Sequence, residues 1–223
     1  MSRPVLFVLA GVDGAGKSSI GGHVLAQAGL AWFDPDQFAR EWRDCTGCSQ
    51  GDANAQAWSE SLRRLDEAVA LGRSHAFETT LGGQTMAARL EAAAATHDVM
   101  VWYCGLASPA QHIARVLARV KAGGHDIPEA NILARWNTSL AHLIRLLPHL
   151  AHLKVYDNSA EAAPGEPLPD PVLLAEVMAE VKAGRFIGPR DAATLKRTPD
   201  WAKPLLEVAL ALALPLGDDQ AAR

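Results

Sequence analysis

The chain has 223 residues, a formal charge of −4 and 49% apolar side chains, enough to bury a full core in one domain with elaborations. It carries no basic block of the kind that tracks a nucleic-acid backbone, so a nucleic-acid partner is not expected. The apolar runs in MSRPVLFVLAGVDG and VALALALPL are too short for a signal peptide or a bilayer span, so the expectation is a cytoplasmic protein with no membrane partner.

PVLFVLAGV is a continuous apolar run of strand length and leads into GVDGAGKS, followed by SSIGGHVLAQAG with Ile20, Val24 and Leu25 at helical spacing. G-x-x-x-x-G-K-[ST] between a strand and a helix is a phosphate cradle. Gly11, Gly14 and Gly16 let the backbone curl around an anion, and the helix adds its positive end. In this reading Gly11, Asp13, Gly14, Ala15, Gly16, Lys17, Ser18 and Ser19 hold ATP or GTP. Lys17 reaches the β- and γ-phosphates and the Ser18 hydroxyl ligates Mg²⁺.

A second short strand, LAWFD, precedes DQFAREWRD, read as a helix. In small-molecule kinases with this loop, an acidic residue after the second strand orients the acceptor hydroxyl and takes its proton; Asp34 and Asp36 are the candidates. Asp36 also stands where an N-cap would start the helix. Cys45 and Cys48 form a lone CxxC, read as two thiols in a polar loop. From about Asn54 to Leu71 a long helix is expected, with Trp58, Leu62, Leu65 and Val69 on its apolar face.

HAFETT is a third strand whose end offers Glu78, Thr79 and Thr80 where ligands bind in open α/β sheets. Gly82 and Gly83 then let the chain turn close to a substrate. TTLGGQT has the register of an ABC-type signature, but the next strand, VMVWYC, ends in Gly105 rather than in paired acids, and no Asn-Lys-x-Asp motif of a GTPase is present. Cys104 reads as a buried strand residue.

SPAQHIARVLARVKAGG is a helix, and two helices meeting at Gly123 and Gly124 form a candidate lid over about 119–145. Arg119 and Arg135 would bring its cations to the transferring phosphoryl group, while Arg115 is read as a solvated face. HLKVYDNS is a fifth strand. Alternating strands and helices imply an α/β fold: a P-loop NTPase-type parallel sheet of about five strands flanked by helices, with a helical lid and a helical C-terminal tail. The expected organisation is a core over 1–160 and, over 161–223, a Pro-rich connector followed by helices near Val172–Ala183 and from Trp201, packed on the sheet.

Together, AGVDGAGKSS, DPDQFAR, FETTLGG, VKAGGHDIPEANILARW and VYDNS resemble the zeta-toxin-like P-loop kinases, in particular the bacterial subgroup labelled predicted ABC-type ATPases. The resemblance covers about residues 4–160. It implies transfer of the γ-phosphate of a nucleoside triphosphate to a hydroxyl, in characterised zeta toxins the 3′-OH of the amino sugar of UDP-N-acetylglucosamine. Carried over, Lys17 and Ser18 hold nucleotide and metal, Asp36 is the base, and Glu78 and Thr80 lie in a sugar-nucleotide pocket bordered by Asp34. Arg119 is a lid arginine, and His125 or Arg135 is the second lid group. Any antitoxin would be a separate chain. The alternatives are a kinase for another small molecule, such as a nucleoside, sugar or antibiotic, and a nucleotide-binding protein without transfer activity.

Overall fold

A computed structural model describes residues 2–17, 20–21, 32–161, 169–178, 185–189 and 191–213. Among them the sheet has six strands: β1 (Val5–Ala10), β2 (His75–Thr79), β3 (Asp98–Gly105), β4 (His152–Asp157), β5 (Val172–Met178) and β6 (Arg185–Ile187), in the order β2-β1-β3-β4-β5-β6. The first four are parallel, and β5 and β6 are added antiparallel. The helices are α1 (Pro35–Thr46), α2 (Gln50–Ala70), α3 (Gln84–Ala93), α4 (Pro109–Lys121), α5 (Glu129–Leu146), α6 (Ala192–Arg197) and α7 (Lys203–Ala213).

The central strands are apolar on both faces, and their side chains join Leu65, Met86, Leu90, Leu143, Leu205 and Leu206 of the surrounding helices in one core. This is the α/β architecture that the alternation of strand and helix patterns implies. Three expectations change. The second strand, LAWFD, is reduced among the described residues to one parallel bridge, Phe33 to Phe77, because Pro35 opens α1 immediately after it. Residues Val172–Met178, expected as a helix, are strand β5: pairing with β4 covers an edge that the parallel sheet would leave open. Trp58, expected on the apolar face of α2, is 42% exposed, the buried stripe there being Ala53, Ala57, Ser61, Leu65 and Ala68. The helix expected after the phosphate loop lies largely outside the described residues.

Among the described residues of the C-terminal part, Trp201, Ala202, Leu205, Leu206 and Ala209 join the core against the sheet. Trp201 lies where a Cβ on Gly105 would meet its ring at 2.5 Å, and its indole donates to Asp157 Oδ1 at 3.1 Å. No helix among the described residues is long and apolar enough to cross a membrane.

Candidate active site

The glycine loop expected to hold phosphate, the phosphate loop, leaves the carboxyl end of β1 and is gripped from three sides. Gly14 and Gly16 adopt φ of 79° and 86°, conformations that L side chains rarely take. A Cβ on Gly14 would stand 2.8 Å from the His112 carbonyl, and one on Gly16 would run into the Asn158 amide. The Ala15 carbonyl accepts from Cys104 Sγ at 3.0 Å and from Asn158 Nδ2 at 2.9 Å. His112, fully buried on α4, donates from Nδ1 to the Asp13 carbonyl at 2.7 Å. Its Nε2 is buried with no partner among the described residues, and burial pushes its pKa down to about 4. Burial likewise pushes the Cys104 thiol up to about 12, so it serves as a neutral donor rather than a thiolate. Ser18, the expected Mg²⁺ ligand, and Ser19 lie outside the described residues.

Asp34 and Asp36 take different positions. Asp34 is the N-cap of α1, its Oδ1 accepting from the Asp36 and Gln37 amides at 2.8 and 3.3 Å. The cap expected at Asp36 is thus made two residues earlier. The Asp36 carboxylate instead faces Arg119 Nη1 at 3.4 Å and His125 Nε2 at 3.6 Å. Arg119 also donates to the His125 carbonyl at 3.3 Å, and its buried Nε has no partner among the described residues. The guanidinium therefore keeps donor capacity for another oxygen.

Arg135 reaches the other end of the site, donating to Asp13 Oδ2 at 2.6 Å. Burial raises the pKa of the Asp13 carboxyl, but the charges of Lys17 and Arg135 outweigh that and hold it below the ordinary value. The two lid candidates are therefore divided: Arg135 stands at the phosphate loop and His125 beside Asp36.

The FETT strand end is held by α5. Ser139 donates to the Thr80 carbonyl at 2.6 Å, Thr138 to the Gly82 carbonyl at 2.8 Å, and His142 Nδ1 to the Leu81 carbonyl at 2.8 Å. A Cβ on Gly82 would meet Arg135 Cγ at 2.7 Å, so this glycine makes room for the arginine. Gly123 and Gly124 end α4, their amides returning to Val120 and Arg119, in the manner of a helix C-terminus. The lid expected over 119–145 is partly core, since Ser139 and Leu143 are fully buried; the part facing the site runs from His125 to Arg135.

These groups surround a cavity of about 190 Å³ that Lys17, Asp34, Asp36, Glu78, Thr80 and His125 all line. Sequence reasoning missed several residues here. Asn54 and Trp58 line the cavity without belonging to any quoted segment, and Asn131 lines it from within VKAGGHDIPEANILARW, where it had not been singled out. Arg115, read as solvated, donates to the carbonyls of Asn158 and Ala160 at 2.6 and 3.1 Å and ties α4 to the end of β4. Asn158 stands in VYDNS, and that quoted segment was the one signal that could have marked it. Cys45 and Cys48 are free thiols away from the cavity lining, and the described residues contain no group of three or more His, Cys, Asp or Glu able to hold a metal ion.

The zeta toxin family model matches residues 1–163. The chain belongs to the zeta toxin family. No curated protein matches it. Among solved structures, the AvrRxo1-ORF1:-ORF2 complex with ATP is similar at 20% identity and a TM-score of 0.58, over 79% of this chain and 59% of that one. The chain thus spans less than two thirds of that protein's length. The same complex with sulphate ions aligns at 17% identity and a TM-score of 0.60, over 95% of this chain and 80% of that one. The PezAT chromosomal toxin–antitoxin system of Streptococcus pneumoniae aligns at 17% identity and a TM-score of 0.53, covering 70% and 69%. At these identities the likeness is one of fold, and that fold is the P-loop kinase-like sheet described above.

Proposed function

We propose that this zeta toxin family member is a small-molecule kinase that transfers the γ-phosphate of ATP or GTP to a substrate hydroxyl. The observation that carries the reading is the position of Asp36: relieved of capping by Asp34, its carboxylate faces the cavity that Lys17 lines, between Arg119 and His125. The tight loop with left-handed glycines and a lysine at its end fits a triphosphate, as does the fold shared with a complex solved with ATP. Lys17 would hold the terminal phosphates, and Ser18 is the residue for Mg²⁺, which when bound neutralises charge on the phosphate oxygens. Asp36 accepts the hydroxyl proton as the acceptor oxygen attacks the γ-phosphorus and the bond to the β,γ-bridging oxygen breaks, releasing ADP or GDP, and Arg119 and Arg135 offset charge on the group in transit. Glu78, Thr80 and Asp34 border the acceptor.

The family resemblance directs the first acceptor test to UDP-N-acetylglucosamine, and a separate antitoxin chain fits the complexes found for the similar structures. A second reading, a kinase for a small molecule without phosphate, is favoured by the carboxylates Asp34, Glu78 and Asp126 on the cavity wall. The test is incubation with Mg-ATP and an acceptor panel, read as a mass gain of one phosphate. Asp36→Asn should keep ATP affinity and lose about 10²–10⁴-fold in kcat. An Asp36→Asn enzyme as fast as the parent removes the base from the mechanism.

A further inference from the structure

We infer that Asp13 is a positioning residue: its buried carboxylate grips one edge of the Arg135 guanidinium and aims the rest of it at the phosphoryl group in transit. The inference rests on the phosphoryl-transfer reading above and adds to it a residue of the phosphate loop that acts through its side chain.

The third residue of G-x-x-x-x-G-K-[ST] is open in the motif, and a carboxylate there carries the wrong charge for a triphosphate. Asp13 is nevertheless only 5% exposed and lines the cavity together with Lys17 and Arg135. The loop is shaped through its backbone: the Asp13 carbonyl accepts from His112 Nδ1 at 2.7 Å, and the Ala15 amide donates to the Val12 carbonyl at 3.1 Å. The carboxylate itself goes to Arg135, accepting from Nη1 at 2.6 Å. With Lys17 and Arg135 both near it the carboxyl stays ionised, so the bond is charge-assisted and two cations stand against one anion.

Arg135 is fixed at its root, its stem and its head. The helix that carries it, α5, is tied to the FETT strand end by Thr138 and Ser139, three and four residues further on. The stem lies in the notch left by Gly82, where a Cβ would stand 2.7 Å from Cγ and 3.1 Å from Cβ of the arginine. Asp13 then takes Nη1, and the remaining N–H groups of the planar fork make no hydrogen bond among the described residues, which leaves them to donate to phosphate oxygens. Arg119 offers the contrast, because its contacts to Asp36 and to the His125 carbonyl are long at 3.4 and 3.3 Å. A cation already in place needs no rearrangement when charge develops on the transferring group.

The test follows ADP release from Mg-ATP by the full-length protein, with UDP-N-acetylglucosamine as acceptor and with water alone, well below the melting temperature. Asp13→Ala should lower kcat about 10²-fold with the KM for ATP unchanged, since displacing the fork by about 1 Å costs that much. Asp13→Asn, whose amide oxygen still accepts from Nη1 but carries no charge, should lose only about tenfold. In an Arg135→Ala background, Asp13→Ala should change kcat by less than about twofold, because the group it positions is gone. Binding gives a readout apart from turnover: Asp13→Ala should weaken the aluminium fluoride complex of Mg-ADP, which imitates the phosphoryl group in transit, about tenfold more than it weakens Mg-ATP. The inference is overturned if the Asp13 variants outpace the parent, which would make the carboxylate a merely repulsive charge. It is equally overturned if they slow the reaction as much without Arg135 as with it, or if both nucleotide complexes weaken alike. A parent that binds Mg-ATP but releases no ADP is decided by the binding comparison. A parent that binds no Mg-ATP would instead remove the phosphoryl-transfer reading itself, and the inference with it.

Discussion

At the phosphate-loop end of the cavity the functional groups come from one short stretch and are held by buried neighbours, with His112, Cys104 and Asn158 each bonded to a loop carbonyl. At the acceptor end they come from α1, α2, β2 and the start of α5, and the main polar contacts, Arg119 and His125 to Asp36, are long at 3.4 and 3.6 Å. The first end is built to keep one shape for a ligand common to a whole class of enzymes. The second leaves donors and an indole unsatisfied, which is where a particular substrate can contribute its own contacts. Binding of nucleotide should therefore depend on few residues and acceptor choice on several.

The largest effect that tests this contrast is at Lys17. Lys17→Ala should abolish Mg-ATP binding in calorimetry, because it removes the loop's side-chain cation; an unchanged affinity would remove the phosphate end as described.

Next come the two arginines, one at each end. Arg119→Ala should cut kcat by roughly 10³-fold with little change in the KM for ATP. Arg135→Ala should lower kcat and also the melting temperature, since it leaves the buried Asp13 carboxylate without its partner. Adding Asp13→Asn should restore the melting temperature but not kcat. If both single variants turn over like the parent, the 119–135 segment is scaffold rather than lid.

A smaller effect concerns His112. Its ring titrates near 4 in the fold against 6.5 when unrestrained, so the unfolded chain binds the extra proton first as pH falls. Stability should drop between pH 6.5 and 4 by up to about 3 kcal/mol from this group. His112→Gln should flatten that slope, and parallel pH–stability curves for the two proteins would refute it.

The smallest separates the paired aspartates. Asp34→Ala should lose about 1 kcal/mol of stability as a lost N-cap while leaving most of kcat, whereas Asp36→Asn should do the reverse. A crippled Asp34→Asn enzyme beside an active Asp36→Asn one would exchange their roles.

The sequence by itself determined the parallel core and the phosphate loop. Both rest on contacts close along the chain: continuous apolar runs that can only be buried, and glycines whose backbone freedom is a local property. It also brought Asp36, Glu78 and Arg119 forward, because strand ends and helix ends can be read from spacing. Only the tertiary structure decided which aspartate caps α1, since Asp34 and Asp36 are both suitable in composition and the choice depends on where α4 and the loop after it bring Arg119 and His125. It likewise turned Val172–Met178 from an expected helix into a strand, because what that segment needed was the open edge of β4, a demand made by a strand far from it in sequence. Trp58 shows the same limit from the other side. Its helical spacing promised burial, and only the packing of Ala53, Ala57 and Leu65 instead left the indole on the cavity wall.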